Sequence, residues 1–335
     1  MRPGSFKLER FFAQYEFSAP HLMCCSDCES LSIGELMALE PGTEQKMHDL
    51  WLGYTESQGG IELREEIATL FNTLNVDQIL VHSGAEEAIF SFMNAILNPG
   101  DHVIVQFPAY QSLYELPYTL GCEVSKWELK PGQHGWDLNL DELEKCLKVN
   151  TRAIIINSTH NPTGYSLSRE KLERIIEIAR DNNIIILADE VYKYLEYDQT
   201  KRTPWVADLY ENAVSLGVMS KSLGLPGLRI GWIGTKNPQI YAAMASFKDY
   251  TSICNSAPSE YLARIALKNR GRILKRNLQI IENNLALLDA FFKKYNELFD
   301  WYRPDAGPIA FPAFKTTRDA DDICEDLVNK KGVLI

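Results

Sequence analysis

Lys221 stands in a stretch of the chain that is almost free of charge, directly after Ser220 and eight residues before Arg229. Apolar surroundings lower the pKa of a lysine, because burial disfavours the ammonium form. The neutral amine is a nucleophile and forms Schiff bases with carbonyl compounds. The stretch therefore indicates carbonyl chemistry at Lys221. The alternative is a surface lysine on a polar turn, which suits most of the 34 lysine and arginine residues.

A second stretch, Ser83-Gly84-Ala85, lies between an apolar strand pattern and a helix pattern. The N–H groups and the dipole of a helix N-terminus favour a bound phosphate. Arg229 offers a planar fork of donors that suits the same group. The alternative is an ordinary helix start, capped by Ser83 with Glu87 near the first turn.

Asp189 ends a very apolar run and is followed by Glu190-Val191-Tyr192. A buried carboxylate is costly unless a positive or hydrogen-bonding group meets it. A protonated pyridine nitrogen could be the partner of this carboxylate. A helix N-terminus or a basic side chain could be its partner equally well. Asn161 begins the turn Asn161-Pro162-Thr163-Gly164, and its amide is expected at the same edge of the sheet.

The elements that position these residues alternate between strand and helix. Strands are predicted at 78–82, 102–106, 122–129, 153–157 and 184–188, and helices at 61–74, 84–97, 108–120, 140–147 and 168–181. Continuous apolar strands alternating with helices are typical of a mainly parallel sheet covered on both faces. Ligands of such sheets bind beyond the carboxyl ends of the strands, where the residues above are expected.

The rest of the chain predicts a smaller α+β unit. Helices are predicted at 237–249, 256–268, 272–295 and 319–330, and strands at 301–303 and 309–314. We therefore expect a large α/β domain of three layers at 41–271. A small domain would combine 1–40 with 272–335.

Bulk composition excludes several classes of protein. A hydrophobic fraction of 45% and a charged fraction of 24% over 335 residues are ordinary for a globular chain. A net charge of −11 argues against nucleic acid as a partner. No apolar run approaches a membrane span, and the N-terminus lacks the apolar core of a signal peptide.

The cysteines indicate a cytoplasmic protein without a metal site. The chain has seven cysteines, an odd number that suggests no disulfide framework. Cys25 and Cys28 have the spacing of zinc ligands, with Cys24 beside them. No second cysteine pair or histidine pair completes a tetrahedral site. Reduced cytosolic thiols are the better interpretation.

Taken in chain order, these motifs resemble those of the class I/II family of aminotransferases, which are pyridoxal-phosphate enzymes of fold type I. The resemblance is strong over about residues 50–235. It is carried by Tyr54 to Gly59, Ser83-Gly84-Ala85, Pro108-Ala109-Tyr110, Asn161-Pro162-Thr163-Gly164, Asp189-Glu190-Val191-Tyr192, Ser220-Lys221 and Arg229-Ile230-Gly231. It implies an enzyme that moves an amino group between an amino acid and a 2-oxo acid.

The resemblance also implies a role for each motif residue. Lys221 would hold pyridoxal 5′-phosphate and later move the Cα proton of the substrate, while Asp189 would pair with the pyridinium nitrogen. Asn161 and Tyr192 would hydrogen-bond the 3-oxygen of the ring, and Tyr110 would stack on its face. The phosphate would be bound by Ser83, Gly84, Ala85, Ser220 and Arg229. Tyr54 would reach the phosphate of a neighbouring subunit, which implies a homodimer.

Two departures from the family pattern bear on these roles. The family has a hydroxyl three residues before the lysine, where this chain has Val218. The family also binds the substrate carboxylate with an arginine near its C-terminus, and Arg303 and Arg318 stand in the wrong context for it. The chain ends at Ile335 in what resembles a buried strand, so we expect either a truncated small domain or a substrate carboxylate that is bound in another way.

Alternatives remain for the reaction. A lyase or an amino-acid cyclase on the same scaffold would use the same residues, and residues 24–36 resemble cyclases of the capreomycidine-synthase type. Residues 22–36 are expected to line the substrate side. A non-catalytic, ligand-sensing domain of a transcription regulator is disfavoured, because no basic helix-turn-helix pattern precedes residue 50.

Overall fold

The computed structural model describes residues 3–132 and 135–335. Its helices are α1 Lys7–Tyr15, α2 Ile33–Met37, α3 Thr43–His48, α4 Ile61–Ala68, α5 Ala85–Ile96, α6 Ser112–Thr119, α7 Leu140–Cys146, α8 Arg169–Asp181, α9 Val206–Leu209, α10 Pro238–Lys248, α11 Ala257–Lys268, α12 Arg270–Lys294 and α13 Ala320–Lys331. Its strands are β1 His21–Leu22, β2 Ile79–His82, β3 His102–Phe107, β4 Glu123–Gly132, β5 Gly135–Leu138, β6 Thr151–Asn157, β7 Ile185–Asp189, β8 Ala213–Val218, β9 Gly231–Thr235, β10 Phe299–Asp300, β11 Ala313–Phe314 and β12 Val333–Leu334.

Eight of the described strands form one central sheet in the order β2-β9-β8-β7-β6-β3-β4-β5. The five inner strands from β8 to β4 run parallel. β9 and β5 pair antiparallel with β8 and β4, and β2 pairs antiparallel with β9. The mainly parallel sheet predicted from the apolar strand runs is therefore confirmed.

The two faces of this sheet belong to separate buried clusters. Ile154 and Ile156 of β6 lie in one cluster, and Ile155 lies in the other. This alternation follows from the two-residue period of a strand. Ile175 of α8 joins the first cluster and Phe92 of α5 the second. Helices thus cover both faces, which confirms the predicted three layers.

The long helix α12 contacts both the loop that follows β8 and the C-terminal segment. At one end the buried Asn277 donates from Nδ2 to the carbonyl of Ser222 at 2.9 Å. At the other end Phe292 stacks on Trp301, with ring centres 4.4 Å apart. Two small sheets, β1 with β12 and β10 with β11, complete this region.

Two helices are shorter than the sequence pattern predicts. The helix predicted at 61–74 ends at Ala68, because the carboxylate of Asp208 takes the N–H groups of Asn72 and Thr73 at 3.0 and 2.8 Å. The helix predicted at 108–120 begins only at Ser112. The carbonyl of Pro108 instead accepts from the His160 ring at 2.6 Å. In both cases a distant side chain satisfies backbone groups that a helix would use.

The strand predicted at 301–303 is wrong, and the strand predicted at 309–314 is limited to its last two residues. Trp301 and Arg303 are held by side-chain bonds to Asp289 of α12, at 2.8 and 3.1 Å. The strands that pair are β10, which lies just before residues 301–303, and β11, which is the end of the predicted strand at 309–314. Side-chain anchoring to a helix has replaced backbone pairing in this segment.

Candidate active site

Four parallel strands end at one edge of the sheet, where their last residues are Phe107, Asn157, Asp189 and Val218. Asn157 and Asp189 are partners in the register of β6 and β7. Asn157 also donates from Nδ2 to the carbonyl of Asp189 at 2.9 Å. Polar side chains therefore converge at the carboxyl edge, where ligands of such sheets bind.

Asp189 is a buried carboxyl group that lacks a full counter-charge. Its Oδ1 accepts from the N–H of Val191 at 3.3 Å. Burial raises the pKa of Asp189 to about 7, although Val191 and the Lys221 ammonium group both act to lower it. The group would gain from a cationic hydrogen-bond donor at this position.

Lys221 follows β8 and directs its amine into the same edge. Its Nζ lies 6.0 Å from the centre of the Tyr192 ring and donates to Ser26 Oγ at 2.6 Å. Burial lowers the pKa of Lys221, while Asp27 and Asp189 act to raise it. Lys221 is therefore buried, but its surroundings include carboxylates and a hydroxyl as well as apolar groups.

Gly84 and Arg229 form a cradle at the N-terminus of α5. Gly84 has a φ of +88°, and a Cβ there would lie 2.6 Å from a terminal nitrogen of Arg229. Gly231 of β9 passes equally close, since a Cβ on it would lie 2.7 Å from the Gly84 carbonyl carbon. Ser83 does not cap the helix; its N–H donates to Glu87 at 2.5 Å. Gly84 is the capping residue, with no side-chain cap.

The two remaining phosphate candidates are Ala85 and Ser220. Ala85 is the first residue of α5. Ser220 is buried, immediately before Lys221. The N-terminus of α5 thus has free backbone donors, a guanidinium group and a hydroxyl close in sequence to the amine.

Two tyrosines provide the flat and polar surfaces of the edge. Tyr192 is 1% exposed, and its hydroxyl has no hydrogen-bond partner among the described residues. Burial raises its pKa. Tyr110 is half-buried beyond β3, and its ring centre lies 5.2 Å from that of Phe6. Burial, then the nearby Glu86 carboxylate, raises the pKa of Tyr110.

Asn161 is half-buried in a turn that is held by hydrogen bonds to nearby polar side chains. Its N–H donates to Asn157 Oδ1 at 2.6 Å. His160 hydrogen-bonds Thr163 Oγ1 at 2.8 Å, and burial lowers the pKa of His160 to about 4. The turn is therefore rigid and its histidine neutral.

Tyr54 is not brought into this group within one chain. Its side chain is 85% exposed. Its neighbour Thr55 holds the loop by donating from Oγ1 to the Asn255 carbonyl at 2.9 Å.

Single residues of the N-terminal segment also contribute to the site, and no sequence motif indicated them. Ser26 contacts Lys221, and Asp27 and Glu9 face it closely enough to raise its pKa. Phe6 lies against Tyr110. None of these residues belongs to a recognisable motif. The expectation that residues 22–36 line the substrate side covered Ser26 and Asp27 without naming them, and it did not reach Phe6 or Glu9.

The cysteine cluster holds no metal site in the structure. Within residues 3–132 and 135–335, no three histidine, cysteine, aspartate or glutamate side chains are placed to bind a metal ion. Cys24, Cys25 and Cys28 are free thiols, and burial raises the pKa of Cys28 to about 12. Nor does any helix in the described ranges have the length and apolarity to cross a membrane.

Comparison with known proteins identifies the family. The family model of aminotransferase class I and II matches residues 35–335. Capreomycidine synthase from Streptomyces vinaceus is 28% identical over 332 residues, covering 98% of this chain and 84% of that protein. Aspartate aminotransferase from Thermotoga maritima is 30% identical over 305 residues, covering 88% and 78%.

A solved structure agrees with these relatives. The crystal structure of a PLP-dependent aminotransferase from Streptococcus suis superposes with a TM-score of 0.93 at 32% identity, covering 100% of this chain and 89% of that one. The chain belongs to the class I and II aminotransferase family. It is an enzyme, a PLP-dependent aminotransferase, whose family implies pyridoxal phosphate as cofactor and an amino acid and a 2-oxo acid as substrates.

Proposed function

We propose that this aminotransferase holds pyridoxal 5′-phosphate between Asp189 and the N-terminus of α5, with Lys221 as the residue that binds it covalently. The observation that carries the proposal is that two buried ionisable groups, the Asp189 carboxyl and the Lys221 amine, lie close enough at one sheet edge to influence each other. Burial raises the pKa of Asp189 and lowers the pKa of Lys221, because it disfavours the charged form of each group. A carbonyl on a protonated pyridine ring suits both groups.

The other residues fit the same cofactor. The cradle of Gly84 and Arg229 has no room for a Cβ and brings a guanidinium group to the N-terminus of α5, where a phosphate is favoured. Ser83, Ala85 and Ser220 would add backbone and hydroxyl donors to that phosphate.

The ring would be held by the polar and aromatic groups of the edge. Tyr192 has a buried hydroxyl without a partner, as a ligand oxygen would require. Asn161 would share the 3-oxygen of the ring with it, and Tyr110 would cover one ring face.

The chemistry is then divided between cofactor and protein. Pyridoxal phosphate, when bound, supplies the carbonyl and an electron-withdrawing ring. Lys221 is the base that would remove the Cα proton of the amino acid and return a proton for transfer of the amine. Asp189 would keep the ring nitrogen protonated by accepting its hydrogen bond.

Borohydride reduction of the cofactor-loaded enzyme tests the role of Lys221. We expect peptide mass spectrometry to find a pyridoxyl group on Lys221 and on no other lysine. Lys193 is a useful internal control, because it is also buried but pairs with Glu190 at 2.8 Å. A label on another lysine, or no uptake of cofactor, would contradict the proposal.

A cyclase or lyase outcome is the second candidate. It is favoured by the alignment with capreomycidine synthase over 98% of this chain. Product analysis over a panel of amino acids separates the two reactions. Transfer of the amine to an added 2-oxo acid supports transamination, whereas a product that retains its amine supports the cyclase or lyase.

We also propose a cytoplasmic homodimer with domains at 41–271 and at 1–40 plus 272–335. All seven cysteines are free, which suits a reducing compartment. Trp51, Leu52 and Tyr54 form an exposed apolar loop surface. Contiguous exposed apolar groups favour a protein contact, here a second copy of the chain.

A further inference from the structure

We propose that Ser26 is a positioning residue that holds the amine of Lys221 whenever that amine is not bonded to the cofactor. The inference rests on the role proposed for Lys221. The Nζ–Oγ distance is 2.6 Å between residues 195 positions apart in the chain. Among the described residues, Ser26 supplies the one hydrogen bond that the Lys221 amine makes.

The loop that carries Ser26 contacts other elements through the residues that follow Ser26. Gly224 has a φ of +64°, and a Cβ there would lie 3.1 Å from the carbonyls of Cys28 and Glu29. From α12, Arg276 donates to the Glu29 carbonyl at 2.8 Å. The backbone two and three residues after Ser26 therefore packs against the Gly224 loop and α12.

The Ser26 hydroxyl lies between two groups of the proposed site. Its oxygen accepts from Lys221, which leaves its own proton to donate elsewhere. Tyr192 is buried with an unpartnered hydroxyl, and Ser26 offsets part of the effect of burial on the pKa of Tyr192. Ser26 can thus orient the amine relative to the tyrosine that faces it.

Orientation matters because a lysine side chain is flexible and its ammonium group carries three donors. Asp189 from β7, Glu9 from α1, and Asp27 and Cys25 from the Ser26 loop also face Lys221 and favour its charged form. Without the Ser26 bond, the charges around the amine stay the same, but no hydrogen bond fixes its direction. Proton transfer to and from the substrate depends on a fixed distance and direction.

The direct test measures Lys221 in the full chain without cofactor. Trace acetic anhydride labels unprotonated amines, so the labelling of Lys221 as a function of pH, read by peptide mass spectrometry, reports its titration. A hydroxyl that accepts from the ammonium form favours that form. Ser26→Ala is therefore expected to move the Lys221 curve to lower pH, and Ser26→Thr to keep the wild-type curve.

Ser30→Ala is the matched control, since Ser30 is an exposed serine of the same segment. It should leave the Lys221 curve unchanged. A wild-type curve for Ser26→Ala in protein with native circular dichroism would overturn the inference. So would a Ser26→Thr curve as shifted as that of Ser26→Ala, because the hydroxyl would then not be the cause.

A second measurement uses the cofactor-loaded enzyme. With the amino acid selected from the substrate panel, Ser26→Ala should lower kcat about tenfold, the loss expected from one hydrogen bond, with KM and cofactor affinity nearly unchanged. An unchanged kcat would also overturn the inference. Failure of borohydride to label Lys221 contradicts the proposed function instead, so the two failures are distinguishable.

Discussion

The guanidinium group of Arg229 occupies the space that a side chain on Gly84 would need. A Cβ on Gly84 would lie 2.6 Å from a terminal nitrogen of Arg229, and the φ of Gly84 is +88°. Arg229 itself has a left-handed backbone, with φ 51° and ψ 46°. Two unusual backbone conformations therefore bring a cation onto the N-terminus of α5, where an anion is favoured.

Gly84→Ala should weaken cofactor binding by roughly tenfold or more, because the added methyl group displaces Arg229 from the phosphate position. The measurement is an absorbance titration of the cofactor-free enzyme with pyridoxal phosphate. Gly100→Ala is the matched control: Gly100 has the same φ of +88° with nothing within 4 Å of its Cβ position. Both variants should lose about 1 kcal/mol of stability from backbone strain. Equal cofactor affinities would contradict the role of the cradle.

Asp189 should make the cofactor-free protein less stable as the pH rises. Its ordinary pKa is 3.8 and burial raises it to about 7. Between these values the unfolded chain ionises Asp189 while the folded chain keeps it protonated, so the folded state binds more protons and stability falls with pH. Asp189→Asn removes this loss. Its gain over wild type should grow from pH 4 to 7, toward at most about 4 kcal/mol.

Urea unfolding of both cofactor-free proteins across this pH range measures the difference. A difference that does not vary with pH would contradict the raised pKa of Asp189. With cofactor bound, the same substitution should lower turnover by roughly two orders of magnitude or more, because the ring nitrogen loses its anionic partner. Near-normal turnover would exclude that role.

The hydroxyl of Tyr192 should serve the cofactor and not the fold. It is buried without a partner, so Tyr192→Phe should leave the stability of the cofactor-free protein unchanged or slightly higher. Cofactor affinity should fall about tenfold with the lost hydrogen bond. Thermal unfolding and the cofactor titration measure the two effects.

Tyr210→Phe is the opposite case and the control. Tyr210 is equally buried, but its hydroxyl donates to the carbonyl of Ile184 at 2.8 Å. Its loss should cost about 1 kcal/mol of stability and leave cofactor affinity unchanged. If Tyr192→Phe behaved like Tyr210→Phe, the hydroxyl of Tyr192 would be structural.

The parallel part of the sheet could be predicted because its strands are buried on both faces. Ile154, Ile155 and Ile156 leave no room for a polar alternation, so the run itself indicates a strand. Asp189 then stands out as a charge at the end of such a run. Residues of this kind can be recognised from the stretch of sequence that surrounds them.

Strands β8 and β9 were not predicted, because glycine weakens the strand pattern in both. Gly217 is required there, since a Cβ on it would lie 2.4 Å from the Trp232 indole of the neighbouring strand. The contact of Ser26 with Lys221 had no local signal either, because it joins residues that only the tertiary fold brings together. Such pairings depend on packing, which a single stretch of sequence does not encode.

Tyr54 should complete the active site of a partner subunit. It is 85% exposed and makes no hydrogen bond within the described residues, while the family resemblance gives it a phosphate to bind. Tyr54→Ala and Lys221→Ala should each be nearly inactive as pure variants. A heterodimer of the two has one site with both changes and one with neither, so co-refolding equal amounts should restore about a quarter of wild-type sites.

The measurement is activity of the co-refolded mixture against each variant refolded alone. Mixing Tyr118→Ala with Lys221→Ala is the comparison for an exposed tyrosine outside this loop, at 70% exposure. Tyr118→Ala should be active alone. In this mixture we therefore expect only the activity of the sites that the Tyr118→Ala chains contribute. No recovery for the Tyr54 mixture, with dimers demonstrated by sedimentation, would mean that Tyr54 acts within its own chain. Recovery would place the shared edge of the dimer at the apolar surface of Trp51, Leu52 and Tyr54, where Trp51→Glu should then produce monomers with weakened cofactor binding.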